Sequence, residues 1–171
     1  TIGANNVAIG FATLCCNISG SNNVAIGCFA LSKNTSGLHN LAIGCLSLTC
    51  NTTGCDNIAI GASTLCANTT GSDNVALGFQ ALQNNTTGYN NIGIGLCAGC
   101  AITSGVNNTV IGTLPAAAAC VCTVLIGAGT CERLRVDNSG LYVNNVVVPK
   151  ITVGTTAPVG PAVGDLWVDT N

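Results

Sequence analysis

Seven glycines, Gly10, Gly27, Gly44, Gly61, Gly78, Gly95 and Gly112, recur every 17 residues without a slip. Each closes a segment of the type N-N-V-A-I-G, and a fixed short period of this kind makes a stack of equal units rather than a globule. A second row, Gly3, Gly20, Gly37, Gly54, Gly71, Gly88 and Gly105, runs seven residues ahead of the first. Each unit therefore has two glycine corners, separated by stretches of seven and ten residues. Numbered from its first Asn, the unit reads N-N-V-A-I-G-x-x-A-L-x-x-N-T-T-G-x. The coils begin at Asn5, Asn22, His39, Asp56, Asp73, Asn90 and Asn107.

Positions 3 and 5 of the coil are branched and apolar, as in Val7 and Ile9 or Ile58 and Ile60. Residues two apart share one face of a strand, so this pair is expected to face the core. Position 4 between them is small, being Ala8, Ala25, Ala42, Ala59 and Ala76. An outward stripe of alanines suggests close approach of other chains about a symmetry axis, which makes these five the expected trimer interface. Leu14, Leu31, Leu48, Leu65 and Leu82 at position 10 form a second inward ladder, on a segment whose short length leaves strand and helical turn both open. Asn at positions 2 and 13 stands beside the corners, where its amide bonds turn backbone and its counterpart in the next coil. The fold class expected is all-β: a parallel β-solenoid (β-roll) of 17-residue coils, an intertwined or packed homotrimer, followed by a short β connector. Seven coils at a rise of ~4.8 Å give a rod of roughly 34 Å.

Residues 1–112 form the regular solenoid. After Gly112 the next Ile-Gly comes 15 residues later, at Gly127, so 113–131 reads as a degenerate terminal coil. Residues 132–152 read as a β-hairpin connector, in which 133–148 runs strand, Asp-Asn-Ser-Gly turn, strand. Residues 153–171 read as an extended Pro/Gly linker and the start of a further module.

Only 6% of residues are charged, against roughly 25% in an ordinary soluble domain, and the net charge is -2. Lys33, Asp56 and Asp73 are the formal charges of residues 1–112, a balance that supports neither nucleic-acid recognition nor electrostatic steering. No apolar run reaches the ~20 residues of a membrane span, so membrane insertion is not expected. One polar group stands out: His39, Asp56 and Asp73 share position 1 in three successive coils, a weak candidate for a cation site. Turn chemistry explains the same residues, since Asp and His tolerate the corner that Asn occupies elsewhere. No nucleophile elbow, no phosphate loop and no pair of carboxylates flanking an aromatic sugar platform is present, and neither an enzyme nor a cofactor is expected.

Twelve cysteines remain. Cys28 and Cys45 share position 7 in adjacent coils, within disulfide reach, and Cys50 and Cys66 at positions 12 and 11 are a weaker pair. Disulfide staples or intersubunit bonds, buried free thiols and metal ligation all stay open, and Cys97-x-x-Cys100 has no partner assigned. Sequons at Asn17, Asn34, Asn51, Asn68, Asn84, Asn85 and Asn107 are equally well read as turn chemistry.

The N-N-x-A-I-G coils are similar to the head repeats of trimeric autotransporter adhesins. They are more similar to the G-x-x-A-L-x-x-N-T-T-G-x-N-x-A-I-G repeats of bacteriophage tail-fibre and other virion-fibre proteins. E-R-L-R-V-D-N-S-G at 132–140 resembles the segment that follows such repeats in phage fibres. V-G-T-T-A-P-V-G-P-A-V-G-D-L-W-V-D-T-N at 153–171 resembles a phage structural-protein linker. The resemblance implies a homotrimeric shaft or head on the virion surface, in contact with other virion structural proteins and with a host cell-surface receptor or glycan. The alternatives are a bacterial adhesin head on the outer surface and an ice-binding solenoid. The latter is disfavoured because neighbouring threonines at positions 14 and 15 face opposite ways on a strand.

Overall fold

The computed structural model describes residues 3–116, 118–128, 131–137, 140–143, 146–147, 151–154 and 166–169. Most of the linker and further module expected at 153–171 lies outside them. The described residues contain no helix. Seven short strands, β1 (Val7–Ile9), β2 (Val24–Ile26), β3 (Leu41–Ile43), β4 (Ile58–Ile60), β5 (Val75–Leu77), β6 (Ile92–Ile94) and β7 (Thr109–Gly112), carry the V-A-I segments. Each pairs in parallel with the next at a register of one full coil, Val7 with Val24 and Ala8 with Ala25. The chain is a parallel β-solenoid with one strand per coil. β8 (Val124–Ala128) continues the ladder and sets Gly127 beside Gly112 across the shortened repeat.

β9 (Cys131–Asp137) then pairs antiparallel with β8, β10 (Gly140–Val143) with β9, and β11 (Val146–Val147) with β10. The reversal ends the parallel stack. Arg135, opposite Leu125 in the ladder, lies 3.8 Å over the Tyr142 ring and 2.6 Å from Asp137, so a charged side chain covers the last core residues. β12 (Ile151–Gly154) and β13 (Leu166–Asp169) form a separate parallel pair.

Between strands the chain runs in turns rather than in a second strand or a helix. In the second coil Ala30 N donates to Gly27 O, Ser32 N to Phe29 O and Asn34 N to Leu31 O, while the intervening amides of Phe29, Leu31 and Lys33 bond neighbouring coils. Positions 8 and 10 are left-handed in this run, with φ 58 at Phe29 and 48 at Leu31. A left-handed leucine costs roughly 1–2 kcal/mol. Full burial of its side chain, about 2–3 kcal/mol, offsets that.

The faces of the strand are the reverse of the sequence expectation. Ala25, Ala42, Ala59 and Ala76 are fully buried inside the coil, against the leucine ladder, while Ala8 in β1 is exposed. The four buried alanines are therefore closed to a partner chain, contrary to the expectation that they form the trimer interface. The branched residues at positions 3 and 5 point outward. The reason is the cross-section: each coil already encloses Leu at position 10, a small residue at 9 and two asparagines, which leaves room for one methyl opposite. Since side chains alternate with period two, that single constraint turns both larger neighbours to the surface.

The two glycine rows exist for different reasons. At Gly27 φ is +134, a conformation open to glycine and disfavoured for any L side chain. Gly37 has no such φ; a methyl there would collide with the carbonyl of Gly54 and the amide oxygen of Asn34.

Candidate functional site

The asparagine ladders are the most regular polar feature. Asn51 Nδ2 donates to Asn34 Oδ1 at 3.0 Å and to Gly54 O at 2.9 Å, and Asn68 repeats the pattern with Asn51 and Gly71. At position 2, Asn57 Nδ2 donates to Asn40 Oδ1 and Gly71 O, and its backbone N–H donates to the same Asn40 oxygen. Both ladders thus converge on the carbonyl of the second-row glycine. Every amide hydrogen of these side chains is used, and Asn34, Asn51, Asn68 and Asn85 are fully buried. Their sequons are closed to glycan transfer in the folded rod; Asn84 and Asn107 are exposed.

The column at position 1 is exposed. Asn22 Nδ2 lies 3.2 Å from His39 Nε2, and His39 Nδ1 lies 3.3 Å from Asp56 Oδ1, with more than half of both side chains in solvent. All seven position-1 residues are left-handed, including His39 (φ 56), Asp56 (φ 56) and Asp73 (φ 59). This is the backbone reason for Asn, Asp and His there. Among the described residues no group of three or more His, Cys, Asp or Glu is placed to hold a metal ion. Threonines at position 14 do not present a hydroxyl row either, because Thr35, Thr52, Thr69 and Thr86 each donate to the carbonyl of the next coil.

Six of the twelve cysteines fall into three situations. Cys97 and Cys100 are joined by a disulfide, a pairing the sequence reading did not assign, although the C-x-x-C spacing carried the signal. Cys28 and Cys45 are free thiols at equivalent positions of adjacent coils, and burial raises the Cys28 thiol above its ordinary range. Cys50 and Cys66 are free; Lys33 Nζ is 3.8 Å from Cys50 Sγ, Cys66 Sγ is 3.7 Å from Gln83 O, and burial raises the Cys66 thiol.

The largest continuous surface feature was missed in the sequence because the strand faces were assigned the wrong way round. From β1 to β10 the outward residues form two parallel files of aliphatic side chains, with exposure reaching 58% at Ile9 and still 36% at Ile126. The files pass through the antiparallel turn-over, where Ile126 lies beside Leu134 and Leu134 beside Val143. Thr109 is the single polar member, and no member is charged. Nine strand spacings make this strip about 43 Å long. Phe11, Phe79 and Leu96 at position 7, all at least half exposed, extend it around the first-row glycine corner. Five residues of width give it a footprint on the order of 600 Å², near the upper limit for the largest apolar patch of a soluble monomer. Among the described residues no helix is long and apolar enough to cross a membrane. No known protein family, curated protein or solved structure matches this chain.

Proposed function

We propose that the chain is the rod segment of a virion fibre, in which three copies pack side by side through the aliphatic strip and project toward a host surface. The observation that carries this reading is the strip itself. It repeats with the backbone rise of the coils, so the surface that matches it along its whole length is another rod of the same rise. Its lack of charge leaves nothing to select a partner by electrostatic complementarity. Its footprint approaches the ~800 Å² per partner of a stable interface. The threefold number and the virion setting rest on the resemblance of the repeats and of residues 132–140 and 153–171 to phage fibres. The work of such a segment is mechanical: continuous hydrogen bonding from coil to coil stiffens the rod, and no chemistry is asked of it.

Native mass measurement on the chain tests the reading, with a trimer expected at micromolar concentration. Ile43→Asp with Ile60→Asp, both outward-facing, should yield a monomer that keeps the β-sheet circular dichroism of the parent. A monodisperse wild-type monomer overturns the assembly.

A further inference from the structure

We propose that Cys28 and Cys45 are an oxidisable pair that forms an inter-coil disulfide on exchange with a low-molecular-weight disulfide, stapling the second coil to the third. Both thiols belong to the position-7 column that borders the strip, but the bond joins two thiols of one chain and does not require the trimer.

Each cysteine follows a corner glycine, and the corners are locked in register. Gly27 N donates to Ile9 O and Gly44 N to Ile26 O at 2.8 and 2.7 Å, and Leu46 N donates to Cys28 O at 2.9 Å. In-register coils place equivalent Cα atoms ~4.8 Å apart, inside the 4.4–6.8 Å window of disulfides. The Cys45 thiol is near enough to add to the rise of the Cys28 thiol. The contrast with Cys50 and Cys66 is informative: those thiols are engaged by Lys33 and by the Gln83 carbonyl, on different sides. The bond between Cys97 and Cys100 shows that an oxidised state suits this fold.

Exposure sets the order of events. Cys45 is exposed and Cys28 half-buried, so the Cys45 thiolate attacks the small disulfide first. One small thiol leaves and a mixed disulfide forms on Cys45. The Cys28 thiolate then attacks Cys45 Sγ and expels the second small thiol. The two protons given up by the cysteines pass through solvent to the two leaving thiolates, and the two electrons end on the reagent, now two thiols. The raised Cys28 thiol fits the second role, where proximity rather than thiolate fraction drives the step.

The test exposes the full chain to excess oxidised glutathione, alkylates the remaining thiols, and maps pepsin peptides at low pH without reduction. The expected result is a peptide pair joined through Cys28 and Cys45, lighter by two hydrogens, with slowed amide exchange in the second and third coils. Cys45→Ser should leave Cys28 alkylated and abolish that slowing, while Cys97 and Cys100 stay joined. Surface thiol to hydroxyl is a mild change, so the variant keeps its fold. Alkylation of both Cys28 and Cys45, a lasting glutathione adduct, or Cys45 bonded to a second copy overturns the proposal.

Discussion

The fifth and sixth coils, residues 73–89 and 90–106, share one backbone register but have different interiors. The fifth has Ala76, Leu82 and Asn85 at positions 4, 10 and 13; the sixth has Gly93, Gly99 and Ile102, with Val110 following in β7. Leu82 lies across the space both glycines leave: a methyl on Gly93 would meet Leu82 Cγ at 2.9 Å, and one on Gly99 would meet Leu82 Cδ2 at 2.8 Å. Bulk lost at two positions is thus regained by a leucine from the coil before and by Ile102. The exchange has a polar cost. Asn85 Oδ1 faces Ile102 where the earlier coils offer an amide, and it is buried with no hydrogen-bond partner. The disulfide between Cys97 and Cys100 lies in this same coil. The difference teaches that register, held by the backbone, tolerates a complete change of core.

The largest expected effect separates two identical substitutions. Leu65→Ala removes a fully buried side chain between regular coils and should cost about 3 kcal/mol. Leu82→Ala should cost about 4–5 kcal/mol, because the glycines beside it cannot refill the space. Urea unfolding of both variants measures the gap. Equal losses would mean that the sixth coil draws its packing from elsewhere.

A smaller difference is expected in the asparagine ladder. Asn68→Ala strips donors from Asn51 Oδ1 and Gly71 O and the acceptor from Asn85 Nδ2, so three buried groups lose partners. At 1 kcal/mol or more for each, the loss should be about 3 kcal/mol. Asn85→Ala removes bonds to Asn68 Oδ1 and Gly88 O but also removes an oxygen that is already unpaired. Its loss should be smaller by about 1 kcal/mol. Thermal unfolding compared across the two variants checks the order, and a reversed order would show that the ladder does not end at Asn85.

Period, corner positions, leucine ladder and asparagine ladder were legible in the sequence, because each repeats identically and a stack converts repetition into contact. The direction of the strand faces was not. V-A-I has apolar residues on both sides, so alternation carried no polar mark, and the choice depended on how much volume the turn segment puts inside. The two glycine rows look alike as letters, yet Gly27 is required by φ and Gly37 by the approach of another coil. Position 1 shows the opposite case: Asn, Asp and His together signalled a turn corner, and the backbone at His39, Asp56 and Asp73 is left-handed there. The aliphatic strip became visible only once Ala25 and its equivalents were seen to be buried.

The smallest effect concerns the consensus residue itself. Alanine stands at position 4 in five coils, and in the fifth Ala76→Gly should cost about 1 kcal/mol through a lost methyl and a looser unfolded chain. By the same logic of repeats, Gly93→Ala would be expected to stabilise the sixth coil. The geometry says otherwise, since the new methyl would stand 2.9 Å from both Ala98 O and Leu82 Cγ. Overpacking of this kind should lower stability by about 1–3 kcal/mol. The coupling identifies the cause: in the double variant Gly93→Ala with Leu82→Ala, the methyl enters space the leucine has vacated, so the combined loss should fall short of the sum of the single losses. Additive losses would place the strain at the Ala98 carbonyl instead. A stabilising Gly93→Ala would mean that the sixth coil is an imperfect copy of the fifth rather than a different solution to filling the same backbone.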